Sequence, residues 1–502
     1  MSTVDKWASL SLQRRVRNLL GGTGSMCPDG HGFIPSGDKC EDKKDEDFQC
    51  SNVGENVLSN SGPRLSIQDE MHLLKEGFGT ISSHFEGLIE TIVEDRTNRK
   101  LKHIAMSATL NGTKNQIKEL YNKDYFVIPG RCPEGPGTQN DFFFEKKDGP
   151  KRIIYGLKPN LRDNHYAALR TLLHFAEFII NSQRSLNSNP NDFCVKYGLS
   201  DTSDAQKLLN QYLVPLTYHI KKQDAYDMGR LKDAVISDSL KENYDIFDMQ
   251  GTVLTGDSDL EELKGAIDNV KRFVQEYDPK SFAKDGIDFQ PIYATSVVSH
   301  GVDLDELNFM TFQGLPYSTS EYIQALSRVG RKNLGMILLW FYPNRVRDES
   351  FYRNFMRYHD SLDHEVRPVP INRNSRLGLM QTINSIFCAG IINHMSSKKG
   401  RPLYRKKDVE ELTSNEKENI VEFIEKAYGQ ALLDDINISD EVEARINEII
   451  HGKDKETIFF PNILTNSGNT YFRTQSGMRG IQKHLSLSLK IDDEKMLKRM
   501  EQ

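Results

Sequence analysis

Nowhere in the 502 residues does an apolar run approach the ~20 positions that a membrane-crossing helix needs. The longest apolar stretch of the last third, around Ile386–Ile392, is short and is broken by Gly390. The first twenty residues mix charged and apolar side chains and lack the basic, apolar, small order of a signal peptide. A cytoplasmic location with no membrane partner is therefore expected. An excess of basic charge is also missing: 65 Lys and Arg stand against 71 Asp and Glu, for a net charge of −6. That excludes a globally basic nucleic-acid binder but not a local groove of Lys and Arg, which a whole-chain count hides. Six cysteines are too few for a disulfide framework, and no repeat of solenoid period is visible. What remains is an ordinary globular composition, 37% hydrophobic, in a chain long enough for two or three domains.

Residues 21–63 are dominated by Gly, Ser, Asp, Lys and Cys with almost no apolar periodicity, which predicts a loop-like insertion. From Arg64 the texture changes. A strand is predicted over Leu65–Gln68, a helix over Thr80–Glu94 and a strand over Leu101–Met106. Residues 129–150 read as a Pro- and Gly-rich linker. Beyond it, strands are predicted at Arg152–Leu157, Val214–His219, Gly251–Leu254, Pro291–Ala294, Asn308–Gln313 and Met336–Phe341. Between them lie helices at Asn164–Asn181, Ala225–Leu240, Asp259–Tyr277 and Ser320–Gly330. This α/β rhythm predicts parallel sheets with flanking helices, one partial (1–150) and one complete (151–372). Residues 373–502 turn mostly helical and charged.

Polar motifs fall at the carboxyl ends of these strands, where open α/β sheets place their ligands. Asp69-Glu70-Met71-His72 follows the first strand. Two adjacent acids can divide labour, one holding Mg²⁺ at a nucleotide and the next polarising the attacking water. An acidic loop with Asp69 capping the next turn serves equally well as a reading. Ser107-Ala108-Thr109 follows the second strand and could equally form an ST-turn or cap. Ala294-Thr295-Ser296 and Ser299-His300-Gly301-Val302-Asp303 supply hydroxyls and amides suited to phosphate oxygens. Gln324, Arg328 and Arg331 lie on and just beyond one predicted helix, the two Arg three apart on one face. Such a pair can fork onto a terminal phosphate; a lone pair would more ordinarily be a solvated face. The order of all four motifs favours the phosphate role.

In that order the motifs resemble superfamily 2 helicase motifs II, III, V and VI. Thr3-Val4-Asp5-Lys6-Trp7-Ala8, Ile67–Leu74, Glu321–Arg331 and Arg347–Tyr352 are similar to the helicase of the DISARM antiphage systems. The likeness spans about residues 1–372, and more thinly Ser476-Gly477-Met478-Arg479. It implies RecA-like domains, ATP with Mg²⁺ in the cleft between them, and nucleic acid, DNA before RNA, across their top. It carries Asp69 and Glu70 over as the Mg²⁺ and water residues and Arg328 and Arg331 as catalytic arginines. His72, Gly301, Asp303 and Gln324 become nucleotide contacts, and Thr3, Lys6, Thr295 and Ser296 nucleic-acid contacts.

The departure from the family is a missing loop. No Gly-Lys-Ser or Gly-Lys-Thr string occurs, and Gly21-Gly22-Thr23-Gly24-Ser25 has no Lys. The likeness begins past the place where the family carries that loop. The expectation is a motor component that needs a further N-terminal half, or other subunits of a defence system, for ATP hydrolysis. The alternative is a non-catalytic nucleic-acid-binding or scaffold subunit. Finally, Cys27, His31, Cys40 and Cys50 are all permissible ligands for Zn²⁺. Their spacing is not that of a compact finger, and reduced thiols are the more ordinary reading.

Overall fold

The computed structural model describes residues 20–29, 39, 43–45, 48–60, 62–107, 113–128, 149, 151–160, 163–244, 251–276, 289–297, 306–366, 370–399, 403, 406–429 and 436–451. The chain forms two units, one of Met1–Ile128 with Pro368–Gln502, the other of Pro129–Arg367. Among the described residues, no helix is long and apolar enough to cross a membrane.

The first unit opens with β1 (Gly22–Met26), β2 (Lys43–Asp45), β3 (Phe48–Gln49) and β4 (Glu55–Asn60). β1 pairs antiparallel with β4, and β2 with β3. This corrects the loop-like reading of residues 21–63. Backbone ladders satisfy their own N–H and C=O groups and can form without apolar alternation. The Gly-rich stretch from Gly22 to Ser25 is thus a strand.

β5 (Leu65–Gln68) and β6 (Lys102–Ala105) follow as a parallel pair, with Leu65 opposite Lys102 and Gln68 opposite Ala105. Between them runs α1 (Glu76–Thr97), and after them α2 (Thr113–Tyr121). Ile81, Phe85, Leu88, Ile89 and Ile92 recur at helical spacing along α1 and are all buried. The helix stops at Asn98, which turns left-handed (φ 53°) and returns its N–H to the Glu94 carbonyl.

The second unit holds β7 (Arg152–Leu157), α3 (Asn164–Ser188), α4 (Pro190–Tyr197), α5 (Thr202–Asn210), β8 (Leu216–His219), α6 (Lys222–Lys232) and α7 (Asp238–Tyr244). It continues through β9 (Thr252–Leu254), α8 (Leu260–Glu276), β10 (Ile292–Ala294), β11 (Phe309–Gln313), α9 (Thr319–Leu326), β12 (Gly335–Trp340), α10 (Val346–Arg353) and α11 (Phe355–Asp360). Its six strands are all parallel, in the order β7-β12-β11-β8-β10-β9. The inner strands β8, β10 and β11 are buried at every position, as a sheet covered on both faces requires. Phe309 stacks on Phe175 of α3 at 3.7 Å between ring centres, while Phe312 packs against Tyr218 and Tyr322 in the layer that carries α9.

The chain then returns to the first unit through α12 (Arg376–Ala389), α13 (Lys406–Glu410), α14 (Ser414–Tyr428) and α15 (Ile438–His451). Thr413 and Glu416 form a capping box that starts α14. These helices bury Ile383, Phe387, Phe423, Ile424 and Val442 in one core with the apolar stripe of α1. The helical tail is therefore packed onto the first α/β part. The observed class is the expected one, α/β with RecA-like parallel sheets and a helical C-terminal region.

Candidate functional site

β5 delivers Asp69 and Glu70 to the carboxyl end of its parallel pair. Their loop is held from within. Met71 and Leu74 are buried beside Leu120 and Tyr121 of α2. The Met71 N–H donates to the Met106 carbonyl and the Met106 N–H to the Gln68 carbonyl, both at 2.8 Å. The Gln116 amide of α2 donates to the carbonyls of Met71 (3.0 Å) and Leu74 (3.1 Å). Strapped this way, Glu70 takes a left-handed conformation, φ 50° and ψ 47°, which costs about 1–3 kcal/mol in a residue with a Cβ. The strain turns its carboxylate outward, 40% exposed, beside an exposed Asp69.

Asp69 Oδ1 accepts the N–H of the adjacent Glu70 (2.9 Å), and no side chain caps the short Met71–Leu73 turn. The capping alternative for Asp69 therefore has no bond behind it. His72 is buried, and its Nδ1 lies 3.2 Å from Glu70 Oε2, so it orients the second acid. Ser107, the residue after Met106, lies two residues beyond the end of the neighbouring strand on the same edge. One edge thus gathers Asp69, Glu70, His72 and Ser107.

In the second unit α9 ends at Leu326, four residues before the predicted end at Gly330. Arg328 and Arg331 consequently share a turn rather than a helix face. Gly330 causes the break: it has φ 73°, and a Cβ there would collide with the Lys151 carbonyl and the backbone of Gly335. Its N–H donates to the Leu307 carbonyl at 3.0 Å. Arg152, from the first residue of β7, braces the turn by donating to the carbonyls of Val329 (2.5 Å) and Ser327 (3.2 Å). Arg331 Nε donates to the same Ser327 carbonyl at 3.2 Å. Burial, and then the charge of Arg331, lower the pKa of Arg152. The guanidinium groups of Arg152 and Arg331 therefore both bear on the turn that carries Arg328. Sequence reasoning missed Arg152, whose only signal is a charged first strand residue.

Gln324 is buried on α9. At the carboxyl edge of β10, Thr295 is buried with its N–H on the Leu254 carbonyl (3.1 Å), and Ser296 is exposed. β8 runs beside β10, with Tyr218 opposite Ala294, and ends just before Lys221 and Lys222, both exposed. That lysine pair was also missed, although a Lys-Lys directly after a strand is a legible signal. Thr3, Lys6, Gly301 and Asp303 lie outside the described residues, as do Ala108, Thr109, His31 and Cys40. Among the described residues, no group of three or more His, Cys, Asp or Glu side chains is placed to hold a metal.

Residues 268–333, which include the braced Arg turn, match the family model of the helicase conserved C-terminal domain. The chain is also similar to the DISARM protein DrmA of Bacillus paralicheniformis (strain ATCC 9945a / NCIMB 11709 / CD-2), 28% identical over 378 residues. These likenesses support a superfamily 2 helicase-type protein related to DISARM. The DrmA match takes in 73% of this chain and 31% of that protein, so the chain spans about a third of the curated relative it matches. Among solved structures it is similar to the DUF1998 helicase MrfA bound to DNA, at TM-score 0.44 and 12% identity over 66% of this chain and 35% of that one. It is also similar to Mycobacterium smegmatis helicase Lhr bound to ssDNA and AMP-PNP, at TM-score 0.41 and 11% identity over 77% and 38%.

Proposed function

We propose that the chain is the ATP-hydrolysing, nucleic-acid-dependent part of a helicase or translocase in an antiphage defence system, acting on DNA. We propose further that its first sheet is completed by polypeptide bearing the Gly-Lys-Ser/Thr loop. The β5–β6 pair carries this reading. Parallel sheets occur with both faces covered, yet Ile67, Ile104 and Met106 on one face of this pair are 61%, 45% and 47% exposed. Added strands and a helix would cover that face and bring a phosphate loop to the edge where Asp69 and Glu70 sit. The Gly22–Ser25 stretch offers no such loop, because it belongs to the β1–β4 ladder.

Asp69 presents exposed hard oxygens at a strand end, the donor type that suits Mg²⁺ bound with a nucleotide. When bound, Mg²⁺ neutralises phosphate charge. Glu70, turned outward and oriented by His72, takes the proton of the attacking water. Arg328 and Arg331 supply positive charge to the terminal phosphate from their braced turn. Thr295, Ser296 and Lys221 hold the nucleic-acid backbone on the carboxyl edge of the second sheet. The similarity to the DISARM protein DrmA supports the defence-system part of this reading.

The decisive measurement is nucleic-acid-stimulated ATP hydrolysis by the chain alone and by the chain combined with a loop-bearing first half. Turnover is expected only in the combination. Robust hydrolysis by the isolated chain, or none in the combination, would sink the reading. Lys221→Ala is expected to weaken DNA binding evenly across sequences and to reduce the slope of log affinity against log salt by about one. Titrations between low and moderate salt check this, and an unchanged slope excludes the phosphate contact. The absence of any Gly-Lys-Ser/Thr string favours a second reading, a nucleic-acid-binding scaffold that never hydrolyses ATP. It predicts DNA affinity indifferent to both ATP and Glu70→Gln.

A further inference from the structure

We infer that Tyr317, at the carboxyl edge of the second sheet, is a stacking platform for an unpaired base of single-stranded DNA; this rests on the reading that the chain binds DNA and adds the state of the strand. Tyr317 is 91% exposed, on the loop that joins β11 to α9. A solitary exposed aromatic needs no explanation in itself. What sets this ring apart is the loop beneath it, which is held rigid by charged side chains.

Arg347 of α10 donates to three carbonyls in succession, those of Leu315 (3.3 Å), Pro316 and Tyr317 (3.3 Å). Its guanidinium also lies 5.7 Å from the centre of the Tyr317 ring and 5.4 Å from that of Phe351. The next residue, Asp348, is buried and accepts the Tyr342 N–H at 2.9 Å, which ties the loop after β12 to the same helix. At the root of the Tyr317 loop, Gly314 has φ 74° and donates its N–H to the Trp340 carbonyl at 2.7 Å. A Cβ there would collide with the Tyr342 ring. Tyr317 itself stays in water, so the bracing does not serve its burial. A side chain held in place before its ligand arrives loses little freedom on binding.

The neighbouring strand ends select the occupant. In sheet order β12, β11, β8 and β10 stand side by side, about 4.8 Å apart. The loops that follow them carry Arg345, Tyr317, Lys221 and Ser296, all exposed. A Cβ at Gly314 would touch Ile220, so the end of β8 that leads into Lys221 lies against the Tyr317 loop. The carboxylates of this edge are engaged: Asp257 with Lys222, Glu349 with Lys158, and Asp163 with the first amides of α3. What faces outward is an edge of cations and a hydroxyl with one aromatic ring set into it. Cations that track phosphates beside an aromatic face that takes a base are the combination by which single-stranded nucleic acid is bound. A duplex keeps its bases stacked on one another and offers Tyr317 no free face.

The test is binding of the full chain to fluorescently labelled single-stranded DNA. Tyr317→Ala is expected to weaken it by about 5- to 100-fold, the usual loss on truncating a stacked aromatic, and Tyr317→Phe to restore it. The slope of log affinity against log salt is expected to stay unchanged in Tyr317→Ala, because no phosphate contact is lost. An abasic sugar-phosphate strand is expected to bind the parent and Tyr317→Ala alike. The Ala variant keeps its fold, since the ring is exposed and Arg347 holds the loop through backbone carbonyls. A parent that binds single-stranded DNA no better than Tyr317→Ala overturns the stacking site and leaves the DNA reading in place. A parent that binds no DNA in either form overturns both.

Discussion

Arg331→Ala, made in the chain completed with its loop-bearing half, is expected to lower DNA-stimulated ATP hydrolysis by about 10³-fold or more. Arginines that reach a transferring phosphoryl group contribute on the order of 10³–10⁵. The geometry supports an effect within that range because the turn is prepared before any nucleotide arrives. Gly330 fixes the backbone, Arg152 clamps the carbonyls of Ser327 and Val329, and Arg331 Nε is tied to Ser327. Donors already in place need no reorganisation when charge develops. DNA affinity is expected to hold within about threefold, since Lys221, Thr295 and Ser296 are untouched. Arg152→Met tests the brace separately. It is expected to lower kcat by ~10-fold with little change in KM, because it loosens the turn without removing a phosphate ligand. Hydrolysis by Arg331→Ala within threefold of the parent would remove the arginine from the chemistry.

The strand-end places of Asp69, Glu70, Thr295 and Ser296 were legible because each follows a short apolar run. Strand positions were legible for the same reason: runs such as Phe309–Gln313, buried throughout, carry large apolar side chains at Phe309, Met310 and Phe312. Residues 21–63 were not legible as hairpins, because β1 to β4 are held by backbone bonds and leave no alternation in the side chains. Nor was the end of α9. The predicted helix runs through Ser327, Arg328 and Val329 to Gly330, where a left-handed backbone packed on Gly335 bars a continuing helix. His72 was assigned to the nucleotide on resemblance, whereas its ring lies against Glu70. Arg152 stayed hidden because its role depends on residues about 175 positions away. Part of the tail's attachment was invisible for a similar reason, since beside the shared apolar core one arginine that reads as an ordinary surface charge joins α2 to α14.

That arginine is Arg373, and Arg373→Met is expected to destabilise the first unit by about 3–5 kcal/mol, the usual result of breaking a buried charged network. Its guanidinium donates to the carbonyls of Leu120 (3.0 Å), Ala427 (3.1 Å) and Tyr428 (2.7 Å), at the C-terminal ends of α2 and α14. Cations are favoured there, where helices leave their last carbonyls unpaired. Its own N–H donates to Glu119 Oε2 and its carbonyl accepts from His84 Nε2, both at 2.8 Å. A methyl at Gly87 of α1 would collide with both the guanidinium and the Ala427 carbonyl, so α1 has a glycine where the network passes. Methionine fills similar volume but leaves these carbonyls without donors. The deficit should also depend on pH. Burial, and then the neighbouring Glu90, push Glu86 up to about 7 from an ordinary 4.5, and Arg373 opposes that rise. With its folded pKa above its unfolded one, Glu86 lowers stability as pH climbs from about 4.5 through 7. Removing the opposing cation widens that window, so the loss in Arg373→Met is expected to be larger at pH 8 than at pH 5. Urea unfolding at the two pH values measures it. Equal losses at both would separate Arg373 from Glu86, and a loss below 1 kcal/mol would mean that the tail is held by its apolar core alone.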